Sequence, residues 1–265
     1  MQTLSSKDNR IIKEASSLSE KKYRDELGLY LLEGPNIVKE AMEEGGRVRF
    51  IFTRAGSDSE EVQDILKIAE EKNLAAYELT GDVFAKVTHT DSPQDVAAVF
   101  EKRQTNSEEF FKEVGTGNIA VLDRLQDPGN VGTILRTAEA FGFKGIVVLK
   151  GTADVYQPKV VRAAAGSLLR LPILQTQSAE ETLTLLKQNG KTAFATAMNA
   201  ESDIDKANLK ENAAIIIGNE GNGVSEEFLK GANTLSIPMD GKTESLNAAV
   251  AAATIMYESL RQRRN

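Results

Sequence analysis

Residues 213–257 constrain this chain most. They open on an apolar run, AAIII, that breaks at once into a polar glycine-rich loop, Gly218-Asn-Glu220-Gly-Asn-Gly223. A short apolar run bounded by glycine has the length of a buried strand and is too short for a helix. A second short strand, residues 235–238, leads through Asp240 and Gly241 into Ser245-Leu246-Asn247 and a long alanine-rich helix. Strand ends that deliver small and hydrogen-bonding residues to loops are how α/β domains build ligand sites. The segment reads as the reaction centre.

With 265 residues, 41% of them apolar and 27% charged, the chain has room for one large domain or two of ordinary size. Cysteine and tryptophan are absent and His89 is the only histidine, which excludes disulfide stapling, thiol nucleophiles and a Cys/His zinc site. No metal is expected. No run approaches the ~18 apolar residues of a membrane span, and the start, MQTLSSKDNR, lacks a signal-peptide core. A soluble, cytoplasmic protein is the expectation. The formal charge of −7 argues mildly against a general nucleic-acid binder, although a net charge can conceal a local basic face.

Periodicity places a polar helix at 11–20, then the basic cluster Lys21, Lys22 and Arg24. A strand at 30–34, a proline-led helix at 35–43, a strand at 49–53, a helix at 60–72 and strands at 76–79 and 96–100 make a small α/β sandwich. Residues 101–117 are charged, lose the periodic pattern and end Gly-x-Gly. The division follows: a first domain over 1–104, a linker over 105–116 and a second domain over 117–265. The second half restarts with a strand at 119–122, a helix at 131–141 stopped by Gly142, and a strand at 145–149, which together form a right-handed βαβ unit. A helix over 159–169 and a strand at 192–196 precede the terminal segment, so the sheet is largely parallel.

Three constellations carry chemistry. In DRLQDPGNVGTILR, Asn130 stands near a helix start and Arg136 lies further along it. By residue type alone, an N-cap and a solvated charge account for them equally well. The Gly218–Gly223 loop departs from the G-x-G-x-x-G fingerprint and reads as well as a plain tight turn. Gly241-Lys-Thr lacks the upstream glycine of a P-loop, so that reading fails. Ser245 is a candidate cap for the last helix, whose stripe Leu246, Val250, Ala253, Met256 or Tyr257, and Leu260 suits core or a partner surface. His89 is placed in a loop without a role, and Lys159, Arg162 and Arg170 are read as a solvated basic face.

Taken in register, DRLQDPGNVGTILRTAEAFG, IIIGNEGNGVS and LSIPMDGKTESLNAAVAAA resemble the SpoU (TrmH-like) branch of the SPOUT RNA methyltransferases over residues 119–257. The looser text KYRDELGLYLLEGPNIVKEAM resembles the substrate-binding domain related to L30e and L7Ae folds. The resemblance implies an N-terminal α/β/α sandwich and a C-terminal parallel α/β domain with a trefoil knot, an exception to the near absence of knots in proteins. It implies S-adenosylmethionine-dependent methylation of a ribose 2'-hydroxyl in RNA, with ribosomal RNA favoured over transfer RNA, and a homodimer through the C-terminal domain. Carried onto this sequence, Asn130, Arg136, Glu220, Ser245 and Asn247 line the reaction site. The backbone around Ile217, Gly218, Ile237 and Leu246 holds the cofactor. The family pattern carries Ser where this chain has Ala164, a difference expected to remove one hydrogen bond and leave activity intact.

The resemblance casts Arg136 as the base, but a guanidinium holds its proton too tightly to be a good one. Arg136 is therefore expected to bind a phosphate and stabilise a developing alkoxide, its fork held by Asn130 and Glu220, with Glu220 a further proton acceptor. Lys21, Lys22, Arg24 and Arg162 head the candidate RNA-binding residues, with Arg47, Arg49, Arg54 and Lys159 beside them. A non-catalytic RNA-binding protein is the alternative, and a nucleotide-dependent oxidoreductase lacks its fingerprint.

Overall fold

The computed structural model describes every residue except His89, Asp91, Ser92, Asn199 and Glu244. The histidine therefore lies outside the described residues. The chain divides into two compact units, one of residues 1–103 with 156–162, the other of 104–155 with 163–265.

The first unit runs β1 (Gln2–Leu4), α1 (Arg10–Ser17), α2 (Lys21–Leu27), β2 (Leu29–Glu33), α3 (Pro35–Glu43), β3 (Val48–Arg54), α4 (Glu60–Glu71), β4 (Ala76–Leu79), α5 (Gly81–Val87) and β5 (Val96–Glu101). Its mixed sheet has the order β1-β4-β3-β5-β2, with β5 antiparallel to both neighbours. Alternate strand residues, Leu29 and Leu31, Ala97 and Val99, meet Ile12, Ala15, Val83 and Phe84 in one core, as a period of two requires. Expected bounds are met at α3 and β4, whereas β1, α2 and α5 are elements that the sequence pattern does not announce.

The second unit contains α6 (Ser107–Val114), β6 (Ile119–Asp123), α7 (Pro128–Ala140), β7 (Gly145–Leu149), α8 (Pro158–Ala164, which straddles the division), α9 (Ser167–Arg170), β8 (Ile173–Thr176), α10 (Ala179–Gln188), β9 (Thr192–Thr196), β10 (Ser202–Asp203), β11 (Ala213–Gly218), α11 (Glu226–Gly231), β12 (Asn233–Ser236) and α12 (Ala248–Arg264). The sheet is parallel throughout, in the order β10-β12-β9-β11-β6-β7-β8. Ile119, Val121, Val147, Ala214 and Ile216 share a core with Phe110, Leu186 and Phe228 of α6, α10 and α11. Against the sheet also pack α7 and α12, through buried Ile134, Leu135, Ala138, Ala252, Ile255 and Met256. Each such large apolar side chain contributes about 1.5–3 kcal/mol of transfer free energy.

Two details differ from expectation. Within residues 105–116, the expected linker, Ser107–Val114 form helix α6. Asn106 and Glu109 close a capping box on α6, and Phe110, Phe111 and Val114 enter the core, so three apolar residues outweigh the charged composition. The helix expected over 159–169 is broken between α8 and α9, where Ala165 and Gly166 adopt φ of +46° and +87°. No helix of the described residues is long and apolar enough to cross a membrane.

Candidate active site

At the centre of the second sheet β6 and β11 lie side by side, with Gly218 in register with Asp123. From β6 the sheet grows outward through β7 and β8; the chain then continues at β9, beyond β11. The loops leaving β6 and β11 thus flank the point where strand order reverses, the usual ligand position in an open α/β sheet.

Each loop is shaped locally. After β6, Asp127 caps α7 by accepting the Asn130 N–H at 2.9 Å, and Pro128 occupies the first helical position. After β11, Asn219 and Gly223 exchange N–H to carbonyl bonds of 3.0 and 2.8 Å, closing a tight turn with Gly223 at φ +68°. Gly218 admits no side chain, because a Cβ there would stand 2.2 Å from backbone atoms of Gly223 and Val224.

A chain of hydrogen bonds then joins three distant segments. The Glu220 carboxylate accepts the backbone N–H groups of Gln126 and Asp127, both at 3.1 Å, and Asn130 Nδ2 at 3.0 Å. Because its amide nitrogen serves Glu220, Asn130 turns its Oδ1 to Asn247, whose Nδ2 donates at 3.0 Å. Asn247 in turn caps α12, its Oδ1 accepting from Ala249 and Val250 N–H. Burial by itself would raise the Glu220 carboxyl; the donors from Asn130, Gln126 and Asp127 outweigh it and hold the group below its ordinary value. The far ends of the same helices are also tied, since Arg263 of α12 donates to the Phe141 carbonyl that ends α7.

Asn130, Glu220 and Asn247 are thus brought into direct contact. Arg136 is not: it is exposed on α7 and its guanidinium takes part in no hydrogen bond or ion pair among the described residues. Six residues at about 100° each carry it some 240° around the helix from Asn130, which is why neither Asn130 nor Glu220 holds its fork. Ser245 is exposed, its carbonyl accepting from Thr243 Oγ1 at 3.2 Å, and the cap expected of it belongs to Asn247. Ile217 and Gly218 are buried at the end of β11, while Ile237 and Leu246 are half-buried on either side of the exposed residues 238–243.

Of the RNA-binding candidates, Lys21 pairs with Asp25 at 3.0 Å, Lys22 lies over the Tyr23 ring, and Arg162 is exposed. Arg24 is withdrawn from that surface: it is 3% exposed and its Nη1 donates to the carbonyls of Leu18 and Ser19, each at 2.7 Å. Arg170 pairs with Glu139, so it is not a solvated charge. Ala164 is buried. Two residues not singled out from sequence lie beneath the site, Asp123 and Asn219; their signal was position alone, at the end of one strand and inside the glycine loop of the other.

Residues 117–257 match the SpoU rRNA Methylase family, and residues 9–98 match the MRM3-like substrate binding domain. The chain is 33% identical over 258 residues to the 23S rRNA (guanosine(2553)-2'-O)-methyltransferase RlmP of Bacillus subtilis, covering 97% of this chain and 98% of that protein. Among solved structures, an AdoMet-bound rRNA methyltransferase from Sinorhizobium meliloti superposes with a TM-score of 0.88 at 29% identity, covering 98% of this chain and 97% of that one. The SpoU methyltransferase AviRb from Streptomyces viridochromogenes, in complex with AdoMet, gives 0.86 at 28% identity, covering 97% and 99%. With its strand order, its loop geometry and these matches in agreement, the chain belongs to the SpoU rRNA methylase family, joined to an MRM3-like substrate-binding domain, and is an RNA methyltransferase.

Proposed function

We propose that this protein methylates a ribose 2'-hydroxyl of RNA with S-adenosylmethionine as donor, and that its substrate is 23S ribosomal RNA. The observation that carries the reading is the Glu220–Asn130–Asn247 chain at the sheet's reversal point. The substrate class is supported by the name of the Bacillus subtilis relative.

The residues present fit the cofactor. Half-buried Ile237 and Leu246 flank an exposed segment with open space around Gly241, and the β11 end is formed by Ile217 and Gly218. That arrangement offers apolar walls with backbone polar groups beside them, as small-molecule sites require. S-adenosylmethionine supplies, when bound, a methyl group on a cationic sulfur. The backbone around Ile217, Gly218, Ile237 and Leu246 would hold it, in a terminal segment threaded as a trefoil knot.

As the ribose oxygen gains the methyl group it must lose its proton, which passes to solvent water. Arg136, whose guanidinium has no partner among the described residues, binds the adjacent phosphate and stabilises the developing oxyanion. Glu220 is a weak proton acceptor, since three donors already favour its ionised form. Its work is to hold Asn130, and through it Asn247, beside Ser245. Residues 1–104 act as an L30e-like RNA-binding domain, with Lys21 and Lys22 on its surface, and Arg162 contributes a further phosphate contact. The chain pairs as a homodimer through the C-terminal domain, where Val250 and Tyr257 of α12 are 52% and 57% exposed.

The test is incubation with radiolabelled S-adenosylmethionine and bulk ribosomal RNA from a strain lacking the gene, followed by nucleoside digestion. Label in one 2'-O-methylated nucleoside is the expected result. Label in transfer RNA alone would move the substrate, and an absence of both label and cofactor binding would favour the non-catalytic RNA-binding reading.

A further inference from the structure

Arg124, the first residue after β6, is a non-glycine residue in the left-handed region, with φ +57°. Side chains disfavour that conformation, and it persists where the surroundings over-determine it. Both the backbone and the guanidinium of Arg124 are engaged. Its N–H donates to Thr152 Oγ1 at 3.1 Å, and that hydroxyl donates to the Leu122 carbonyl at 3.0 Å. Its guanidinium lies on Asp123, with Nε to Oδ1 at 2.9 Å. Asp123 is fully buried and also accepts the Ser225 N–H at 2.7 Å. The Arg124 carbonyl accepts Asn219 Nδ2 at 2.9 Å.

Asn219 is the joint between the two loops. Its Oδ1 accepts the N–H groups of Gly221 and Asn222 at 3.0 and 3.1 Å, which fixes the turn carrying Glu220. Its Nδ2 fixes the kink at Arg124, beyond which the N–H groups of Gln126 and Asp127 reach the Glu220 carboxylate. We infer that Asn219 is a positioning residue for methyl transfer, acting through the Arg124 carbonyl to hold the Glu220 carboxylate in place. The inference rests on the methyltransferase reading above and adds a residue to its machinery.

The test uses the full chain with ribosomal RNA under single-turnover conditions. Asn219→Asp keeps an oxygen for the Gly221 and Asn222 N–H groups and replaces the donor facing Arg124 with an acceptor. Transfer rate, RNA affinity and thermal midpoint are measured for this variant alone and in a Glu220→Gln background. The expected result is a rate lowered about tenfold, the size of one positioning hydrogen bond, with RNA affinity unchanged and the chain still folded at the assay temperature, its midpoint lowered only modestly by the lost bond to the Arg124 carbonyl. In the Glu220→Gln background the same change should cost less than about twofold, because the carboxylate it positions is gone. A full loss in both backgrounds, or an undiminished rate, overturns the inference. If Asn219→Asp does not fold, Asn219→Ser, which keeps a turn oxygen and lacks the donor, is read in the same way. A wild-type chain that transfers no methyl group removes the underlying reading and this inference with it; an active wild type with an equally active Asn219 variant removes the inference alone.

Discussion

Asn247 donates its Nδ2 to Asn130 Oδ1 across 3.0 Å, although 117 residues separate the two in the chain. The bond joins the first turn of α7 to the cap of α12. Arg263 repeats the attachment at the other end, on the Phe141 carbonyl. Two parallel helices fastened at both ends hold the Asn130 amide in one orientation, and a fixed amide dipole is what an electrostatically assembled site requires.

Asn247 has two separable duties. Asn247→Asp keeps the capping oxygen and loses the donor to Asn130, so denaturant titration should show a change below about 0.5 kcal/mol. Methyl transfer should nevertheless fall by about tenfold or more. Asn247→Ala also loses the cap, and about 1 kcal/mol of stability with it. Equal stability losses in both variants would mean that the bond to Asn130 is structural only.

The Arg136 side chain is exposed and has no partner among the described residues, so Arg136→Lys should leave the unfolding midpoint unchanged. Turnover should drop by at least about tenfold, because a lysine keeps the charge but not the bidentate fork. Undiminished turnover would discard the phosphate-clamp account.

Glu220 sets a pH dependence. A carboxyl held below its ordinary 4.5 contributes stability above that value and loses it as pH falls through the depressed pKa. Wild type should therefore exceed Glu220→Gln in urea midpoint at neutral pH, and the difference should shrink as the pH falls through the depressed pKa. A constant difference between the two proteins would assign the effect of the substitution to packing.

Arg24 and Lys22 sit two residues apart and should behave oppositely. Arg24→Ala leaves the Leu18 and Ser19 carbonyls without their buried donor, a cost of about 1–3 kcal/mol in unfolding experiments. Lys22→Ala should leave stability alone and lower the salt slope of RNA affinity by about one unit. An unaltered slope would take Lys22 out of the RNA surface.

Much of this molecule is legible in its sequence because short-range rules decide it. The apolar run at β11 ends on the glycine that the tight turn demands, and Gly145–Leu149 and Thr192–Thr196 follow from apolar runs of strand length. Helix α6 was hidden by its charge, although Asn106 and Glu109 spell a capping box and Phe110 and Val114 stand one turn apart. The cap of α12 was misplaced by two residues, since Ser245 and Asn247 are both good capping types and local pattern does not rank them.

The sequence by itself determined the two-part α/β organisation, the family and which polar residues gather in the final segment, because residue type, strand length and motif register act over a few residues. Only the tertiary structure decided which of those residues meet. Strand order puts the β6 and β11 loops together, so Glu220 faces Asn130 and Asn247 while Arg136, on the same helix as Asn130, points elsewhere. It also decided that Arg24, one of three cations in a row of similar text, is a buried donor. The physical reason is the same in both cases: a hydrogen bond depends on distance and direction in space, and contacts across 90 or more residues are set by how the sheet and its helices pack.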